Sequence, residues 1–340
     1  MDRLRCAAIG LGRLGYRHAA NLAGIIPQAE LVAVSDVSQA SLDSFGASYP
    51  DVQQYQDYHE ILKRGDIDAV IIASSTSTHG QVLKDTILSG KPAFLEKPLS
   101  LDWNEAVELD RLAAEKNAYV QLGFMRRFDY AYVGAKKQIA SGAIGEPVSM
   151  LGISRDPGCP PIEFAKKSGG LIVDLCVHDI DLCRWFFDSE VTEVYARGAV
   201  VRYPELGEIG DIDHVNIELT FANGKVASLE GSRNSQYGYD VRTEIVCTEG
   251  AVSIGGVQQI GLSVFDPSGT RQSSVPGFLE RFEGAYLVEL QQFVSDVLQK
   301  KENPAVSVSD GVRAMEVALA ANESMRLNKP ITIEQWKGEV

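Results

Sequence analysis

Three glycines with the spacing G-x-G-x-x-G, at positions 10, 12 and 15, separate a short apolar run from a longer amphipathic one. Gly10 permits a tight turn after a strand, Gly12 lets a phosphate approach the backbone, and Gly15 lets a helix pack closely on the strand. A helix that begins there offers free N–H groups and the positive end of its dipole to an anion. The motif predicts a strand–turn–helix unit that holds a dinucleotide, with Arg13 and Leu14 in the same site.

An acidic residue at the end of the next apolar run indicates which dinucleotide is bound. Asp36 lies about 20 residues beyond the glycines, where a carboxylate accepts hydrogen bonds from the ribose hydroxyls of NAD. It would repel a 2′-phosphate, and Val37 and Ser38 supply no arginine to receive one. We therefore predict NAD rather than NADP. The alternative is a glycine-rich turn that only packs a helix. The ordered succession of strand, glycines, helix, strand and acid disfavours this alternative.

Size and charge exclude several classes of protein. At 340 residues the chain exceeds the length at which single cores stop growing, which favours two domains. A net charge of −14 disfavours nucleic acid and anionic membranes as partners. We expect no membrane span and no signal peptide, because no apolar run is long enough and a strand pattern begins almost at Met1. The five cysteines form no C-x-x-C pair, which favours reduced thiols and a cytoplasmic protein.

Two patterns of hydrophobicity follow each other along the chain. Short apolar runs alternate with amphipathic stretches over residues 1–122, which predicts a Rossmann domain, an α/β fold with a parallel sheet. Residues 123–340 show period-2 segments and an Asn-Gly hairpin signal, which predict an α+β domain with a mostly antiparallel open sheet. The predicted strands are 5–9, 31–35, 69–73, 92–95, 118–122, 148–154, 213–221, 225–233, 239–247, 251–254 and 262–265. The predicted helices are 15–24, 38–47, 58–63, 78–88, 102–116, 129–141, 171–187, 282–300 and 309–327.

The first candidate for chemistry is Lys97, in the run Glu96-Lys97-Pro98. It follows the fourth predicted strand, at the sheet end where open α/β folds bind ligands. A lysine there can hold a substrate hydroxyl beside the nicotinamide. The alternative is a surface Glu–Lys pair before a loop, because this tripeptide is common.

The second candidate is a mostly apolar helix that carries Asp174, His178 and Asp181 at positions i, i+4 and i+7. Ionisable side chains on a buried helix are costly unless they pair or line a cavity. His178, oriented by Asp174, is therefore a candidate general base, and a hydrogen-bonded core histidine is the alternative. A zinc site that combines His178 with Cys176 and Cys183 is disfavoured, because the cysteines point away from the histidine. We predict no metal.

With these motifs the chain resembles the Gfo/Idh/MocA oxidoreductases, and among them the bacterial inositol 2-dehydrogenases, over nearly its whole length. The resemblance implies that Lys97, Asp174 and His178 form the catalytic trio. It also implies a Rossmann domain followed by an antiparallel-sheet domain, with four copies packed through those sheets. The motifs that carry the resemblance are the glycine motif, 96–98, 123–128, 154–157, Gly169-Gly170, 174–181, 237–240 and 281–286.

The same resemblance implies two further groups of site residues. Near the cofactor it places Ser74, Thr76, His79 and Glu96. In contact with a small polyol it places Arg127, Arg155, Asp156 and Tyr237. Positions 154, 156 and 159 depart from the residues of some relatives, so the stereochemistry of the substrate stays open.

The expected reaction is the NAD-dependent oxidation of a cyclitol, with myo-inositol converted to 2-keto-myo-inositol (scyllo-inosose). In this reaction His178 takes the hydroxyl proton, Lys97 holds the oxygen and NAD accepts the hydride. The alternatives are a scyllo-inositol or aldose dehydrogenase, a glycosidase that uses transient oxidation by NAD, and a nucleotide sensor without catalysis. The presence of all three members of the trio argues against the sensor.

Overall fold

The computed structural model describes residues 3–257 and 259–337, which divide into two compact units. The first unit comprises the residues up to Met125 together with Gly284–Val312. The second unit comprises the remaining described residues. The predicted second domain, 123–340, includes residues 123–125 and 284–312, which belong to the first unit.

The first unit contains a six-stranded sheet whose strands are all parallel. Its strands are β1 (Leu4–Ile9), β2 (Ala29–Ser35), β3 (Gln53–Tyr55), β4 (Ala69–Ile72), β5 (Ala93–Glu96) and β6 (Val120–Gly123). Their order across the sheet is β3-β2-β1-β4-β5-β6. β4 and β5 are buried throughout, as central parallel strands are when helices cover both faces. The predicted Rossmann fold is confirmed.

Helices alternate with these strands and continue through the second unit. They are α1 (Arg13–Gly24), α2 (Gln39–Ser48), α3 (Tyr58–Leu62), α4 (His79–Leu88), α5 (Trp103–Lys116), α6 (Tyr130–Ala140), α7 (Ile162–Ala165), α8 (Val177–Phe187), α9 (Pro204–Glu208), α10 (Phe278–Arg281), α11 (Glu283–Leu298), α12 (Val308–Leu327) and α13 (Ile333–Lys337). Short 3₁₀ turns occupy Thr76–Thr78 and Met125–Phe128.

Helix α11 returns to the first unit because its apolar face completes the core there. Leu290, Phe293 and Val294 are fully buried in the same hydrophobic cluster as residues of β1, β2 and β5. The Phe293 ring lies 6.0 Å from the ring of Phe94 on β5, in an edge-to-face arrangement. Such aromatic pairs add to the free energy gained by burial.

The second unit contains a seven-stranded sheet with one parallel pair. Its strands are β7 (Pro147–Arg155), β8 (Val191–Ala199), β9 (His214–Phe221), β10 (Val226–Ser232), β11 (Asp240–Cys247), β12 (Ala251–Val257) and β15 (Ile331–Thr332). Their order is β12-β11-β7-β10-β9-β8-β15, and only β7 and β10 run parallel. A separate hairpin pairs β13 (Gln259–Asp266) with β14 (Gly269–Ser274). The predicted mostly antiparallel sheet is confirmed.

The alternation of apolar and polar residues in β9 gives one buried and one exposed face, as predicted. Val215, Ile217 and Leu219 are buried, whereas the side chains between them are exposed. The turn at Asn223-Gly224 joins β9 to β10 as the sequence indicates, with Gly224 at φ +80°. Among the described residues, no helix is both long and apolar enough to cross a membrane.

The helix predicted over 171–187 is not uniform. Ile172–Cys176 is a π-helix, and α8 begins only at Val177. A π-helical turn holds more residues than an α-helical one, so side chains across it do not follow the spacing of an α-helix. The single stripe predicted for Asp174, His178 and Asp181 is therefore interrupted at its start.

Replacement of Phe293 by alanine tests whether α11 is part of the first unit's core. We expect Phe293→Ala to lower the free energy of unfolding by about 3–5 kcal/mol, because it empties a fully buried site. Urea unfolding followed by circular dichroism measures the change. The control is Val288→Ala on the same helix, where the side chain is 43% exposed and the expected loss is below about 1 kcal/mol. Equal effects of the two substitutions would contradict the observed packing.

Candidate functional site

The three glycines of the first motif have different surroundings. Gly10 has φ +92°, and a Cβ there would lie 2.5 Å from the carbonyl oxygen of Ala73. A Cβ on Gly15 would lie 2.2 Å from the carbonyl oxygen of Gly10. A Cβ on Gly12 would meet no atom of the described residues within 4 Å. The first and third glycines thus permit the turn and the close packing of α1, while the second leaves open space at the helix N-terminus.

Helix α1 begins in the way that an anion site requires. Gly12 is its N-cap residue, no side chain caps the helix, and its first turn holds no acidic residue. N–H groups of a first turn have no partner within the helix and can bind phosphate oxygens.

The Asp36 carboxylate is fixed beside the glycine turn. It accepts hydrogen bonds from the backbone N–H of Leu11 at 2.7 Å and of Ser38 at 2.8 Å. The bond from Leu11 links the end of β2 to the loop after β1, and the bond from Ser38 is local. A carboxylate offers about four acceptor positions, so two bonds leave capacity for ribose hydroxyls. Together with the open space at Gly12, this geometry fits NAD.

Two further loops at the carboxyl ends of β4 and β5 are joined by His79. Its ring nitrogens lie 2.8 Å from the carbonyl oxygen of Pro98 and 3.1 Å from that of Ser74. Burial lowers the pKa of His79, which favours the neutral ring. A neutral ring has one N–H, and we assign it to the shorter contact. Thr76 lies in the first loop and is partly exposed.

Lys97 and Glu96 differ in their surroundings although they are adjacent. Lys97 is partly exposed at the end of β5, where the sequence predicts it. The Glu96 side chain is buried, and its Oε1 lies 2.6 Å from Nε2 of His18 on α1. The structure therefore directs Glu96 to the interior, and a contact of this residue with the cofactor stays a prediction.

In the second unit, Asp174 lies on the π-helix and His178 on the first turn of α8. The Asp174 side chain is 22% exposed, whereas His178 is buried. The buried guanidinium of Arg233 places Nη2 3.9 Å from Oδ2 of Asp174. Arg233 thus places a positive charge beside the carboxylate that is predicted to orient His178.

Arg233 was not predicted, and its position is set by Asp211. The Asp211 carboxylate accepts from Arg233 Nη1 at 2.9 Å and from the backbone N–H of Leu171 at 2.9 Å. The pair thus holds the chain at the start of the π-helix. No local signal identifies Arg233, because it follows β10 and reaches Asp174 only through the fold.

The acidic residues of α8, Asp179 and Asp181, are held in ion pairs. Asp181 receives two bonds from Arg127, at 2.6 and 2.8 Å. Asp179 receives one from Arg126 at 2.8 Å and one from the Ser154 hydroxyl at 2.6 Å, all three side chains being buried. The Ser154 hydroxyl therefore faces the interior.

The remaining predicted polyol residues lie at the carboxyl end of β7 and after β10. Arg155 binds Glu230 through two bonds, the shorter at 2.6 Å, and donates to the Tyr237 hydroxyl at 2.8 Å. Tyr237 is half-exposed and donates to Asp240 at 2.8 Å. The backbone of Asp156 is held by Ser232 and by Ser235. The structure thus brings Arg155 and Tyr237 into one hydrogen-bonded group.

The cysteines near His178 have properties that disfavour zinc binding. Burial raises the pKa of the Cys176 and Cys183 thiols well above the ordinary range, whereas zinc binds the thiolate. Cys183 instead lies with its sulfur 3.6 Å from that of Met150.

Comparison with known families finds one matching model within each of the two units. Residues 4–124 match the model described as "Oxidoreductase family, NAD-binding Rossmann fold". Residues 132–253 match the model described as "GFO/IDH/MocA C-terminal domain". The chain belongs to the GFO/IDH/MocA oxidoreductase family.

Individual relatives resemble the chain over almost its entire length. It is 37% identical to scyllo-inositol 2-dehydrogenase (NAD(+)) of Bacillus subtilis, over 98% of this chain and 97% of that protein. It is 36% identical to myo-inositol 2-dehydrogenase of Thermotoga maritima, over 98% of this chain and 100% of that protein. The crystal structure of scyllo-inositol dehydrogenase from Lactobacillus casei with bound NAD(H) and scyllo-inositol superposes with a TM-score of 0.91. That structure is 33% identical and covers 98% of this chain and 100% of its own.

The contrast between Gly12 and Gly15 provides a test of the dinucleotide site. Gly12→Ala is expected to cost no more than about 1 kcal/mol of stability, because the added methyl group enters open space. It should weaken NAD binding at least about tenfold, since that space is where a pyrophosphate would approach. Gly15→Ala should instead destabilise the fold by about 3 kcal/mol through contact with Gly10. Titration calorimetry and urea unfolding separate the two effects, and unchanged NAD affinity in Gly12→Ala would contradict the site.

Proposed function

We propose that this chain is an NAD-dependent dehydrogenase that oxidises a cyclitol, with conversion of myo-inositol to 2-keto-myo-inositol as its leading reaction. The observation that carries the proposal is the similarity to two inositol 2-dehydrogenases, at 36–37% identity over 98% of the chain. The geometry of the glycine turn and of Asp36 supports the choice of cofactor.

The cofactor would be held by residues of the first unit. Gly10, Gly12 and Gly15 would admit the pyrophosphate, and Asp36 would accept from the ribose. When bound, NAD accepts the hydride that leaves the substrate carbon. The residues proposed to complete its site are Arg13, Leu14, Ser74, Thr76, His79 and Glu96.

Three side chains would handle the substrate hydroxyl. His178 would take its proton as general base, and the Asp174 carboxylate would stabilise the resulting imidazolium. Arg233 supports this role because its guanidinium places a positive charge 3.9 Å from the Asp174 carboxylate. Lys97 would hold the oxygen, since an ammonium group stabilises the negative charge that develops there. No metal is required in this scheme.

The remaining hydroxyls of a polyol would be recognised by Arg127, Arg155, Asp156 and Tyr237. Arg127 and Arg155 are already fixed by acidic partners, which limits the orientations of their guanidinium groups. A guanidinium has five N–H donors, so a bidentate ion pair leaves donors for hydroxyl oxygens. A polar group fixed in this way loses little entropy when the substrate binds.

A second candidate substrate is scyllo-inositol. The relative that is 37% identical is named for this isomer, and so is the superposed structure that contains it. The two inositols differ only in the orientation of one hydroxyl, so both could use the same proton acceptor.

We further propose that the enzyme is a cytoplasmic homotetramer. The outer face of the seven-stranded sheet carries the half-exposed apolar side chains of Leu151, Val226 and Val246, which a second copy could cover. The five cysteines are free thiols, in keeping with a reducing compartment. Light scattering coupled to size-exclusion chromatography gives the number of copies.

The substrate is tested by following NADH formation with myo-, scyllo- and D-chiro-inositol, glucose and xylose. We expect turnover with an inositol and NAD⁺, with a higher kcat/KM for myo-inositol. With NADP⁺ we expect a kcat/KM lower by at least about a hundredfold, because the 2′-phosphate meets Asp36. Turnover of an aldose alone would refute the cyclitol proposal. Bound NAD⁺ without net NADH would favour the glycosidase alternative.

The catalytic roles are tested with Lys97→Ala and His178→Ala. Each substitution should lower kcat by about 10²–10⁴-fold, because it removes a group that acts on the transferred proton or its oxygen. In the unsubstituted enzyme kcat should rise as the pH passes the ordinary histidine range near 6.5, and this rise should vanish in His178→Ala. NAD binding by fluorescence controls for folding, and Lys116→Ala on the exposed side of α5 is the control variant. Near-normal kcat in either active-site variant would exclude that residue from the mechanism.

A further inference from the structure

Three ionisable side chains meet in the core of the first unit. They are His18 on α1, Glu96 at the end of β5 and Glu289 on α11, here called the buried carboxyl cluster. One ligand atom from each lies within 4.8 Å of those of the other two. His18 and Glu289 are completely buried, and Glu96 is 5% exposed.

The contacts within the cluster are unequal. His18 and Glu96 form a close pair, with 2.6 Å between Nε2 and Oε1. Neither carboxyl oxygen of Glu289 has a hydrogen-bond donor among the described residues. A buried ionised carboxylate without donors is strongly unfavourable, so this arrangement calls for a proton or a cation.

The described groups around the Glu289 carboxyl bring it no hydrogen-bond donor. His18 on α1 is already paired with Glu96, and its ring lies 5.9 Å from that of Tyr286 on α11. On β6, Gln121 donates its amide to the backbone carbonyl of Glu289 at 3.0 Å, and the Gln121 Oε1 lacks a donor among the described residues. This part of the core is therefore short of donors, and a protonated carboxyl would add one.

Burial raises the pKa of Glu289 well above its ordinary value of 4.5, and the neighbouring Glu96 carboxylate raises it further. The close pair of His18 and Glu96 favours a proton over a metal ion, because two ligands of one metal do not hydrogen-bond to each other. With one proton on Glu289, a single carboxylate remains in the cluster, and it faces His18.

The cluster bears on the position of Lys97, because Lys97 directly follows Glu96 in the chain. The Glu96 carboxyl is confined on its other side by β6, where a Cβ on Gly123 would lie 3.0 Å from its Cδ. The position of the Glu96 side chain is thus limited by four elements, α1, β5, β6 and α11.

We propose that Glu289 keeps its proton at neutral pH, and that the buried carboxyl cluster thereby positions the Lys97 backbone. The positioning role rests on the function proposed for Lys97, whereas the protonation of Glu289 does not depend on that function. In this view Glu289 is a positioning residue that touches neither substrate nor cofactor.

Infrared spectroscopy tests for the proton directly. At pH 7 the protein should show a carboxylic acid C=O band that is absent from Glu289→Gln. Glu316→Gln is the control, because Glu316 is also buried but its Oε1 lies 2.6 Å from Lys337 Nζ. That variant should retain the acid band. Absence of the band from the unsubstituted protein would overturn the proposal, and so would a stoichiometric divalent cation, found by elemental analysis, that Glu289→Gln loses.

Rising pH should lower the stability of the unsubstituted protein relative to that of Glu289→Gln. The folded state retains a proton that the unfolded chain releases above pH 4.5, so rising pH favours unfolding of the unsubstituted protein. Between pH 5.5 and 7.5, its unfolding constant should increase about tenfold per pH unit relative to that of the variant. Urea unfolding measures this ratio, and a ratio independent of pH would overturn the proposal.

Kinetics test the positioning role. Glu289→Met removes the donor at similar volume and should lower kcat about tenfold at saturating NAD⁺, with little change in KM for the polyol. Glu289→Gln, which retains a donor, should keep most of the kcat of the unsubstituted enzyme. Equal kcat values for the two variants would refute positioning. Failure of the proposed function would appear separately, as normal turnover in Lys97→Ala.

Discussion

The first unit depends on the close approach of two backbone segments at the end of β1. Only glycine at position 15 allows α1 to cross the turn, because a Cβ there would lie 2.2 Å from the carbonyl oxygen of Gly10. This contact fixes where α1 begins, and hence where its unbonded N–H groups point. It also brings Leu11 to the Asp36 carboxylate and sets the helix that carries His18. A binding surface for a dinucleotide and a buried ionisable cluster therefore follow from one steric requirement.

The second unit is organised by charges that are buried in pairs. Arg126 and Arg127 bind Asp179 and Asp181 of α8, and Arg233 joins Asp211 near Asp174. Removal of one partner from such a pair leaves an uncompensated charge in the interior, so each pair holds its elements in one arrangement. The π-helical turn before α8 lies within this network, as such turns often do at functional sites.

Local patterns predict much of this molecule and fail where the fold joins distant segments. The glycine motif, the alternation in β9 and the Asn-Gly turn each follow from short-range sterics, and the structure agrees with them. Strand β8 is not predicted, because a register shift between Val191 and Glu193 interrupts its alternation. The return of α11 to the first unit depends on which core its apolar face completes. The π-helical turn, the ion pair of Arg127 and the position of Arg233 beside Asp174 likewise arise only from tertiary contacts.

The proposed reaction passes a hydride from C2 of an inositol to NAD⁺. The most direct measurement uses myo-inositol deuterated at C2, with mass spectrometry of the reduced cofactor. We expect reduced cofactor that carries one deuterium per molecule, in an amount equal to the ketone formed. Reduced cofactor without deuterium, or ketone without reduced cofactor, would contradict it.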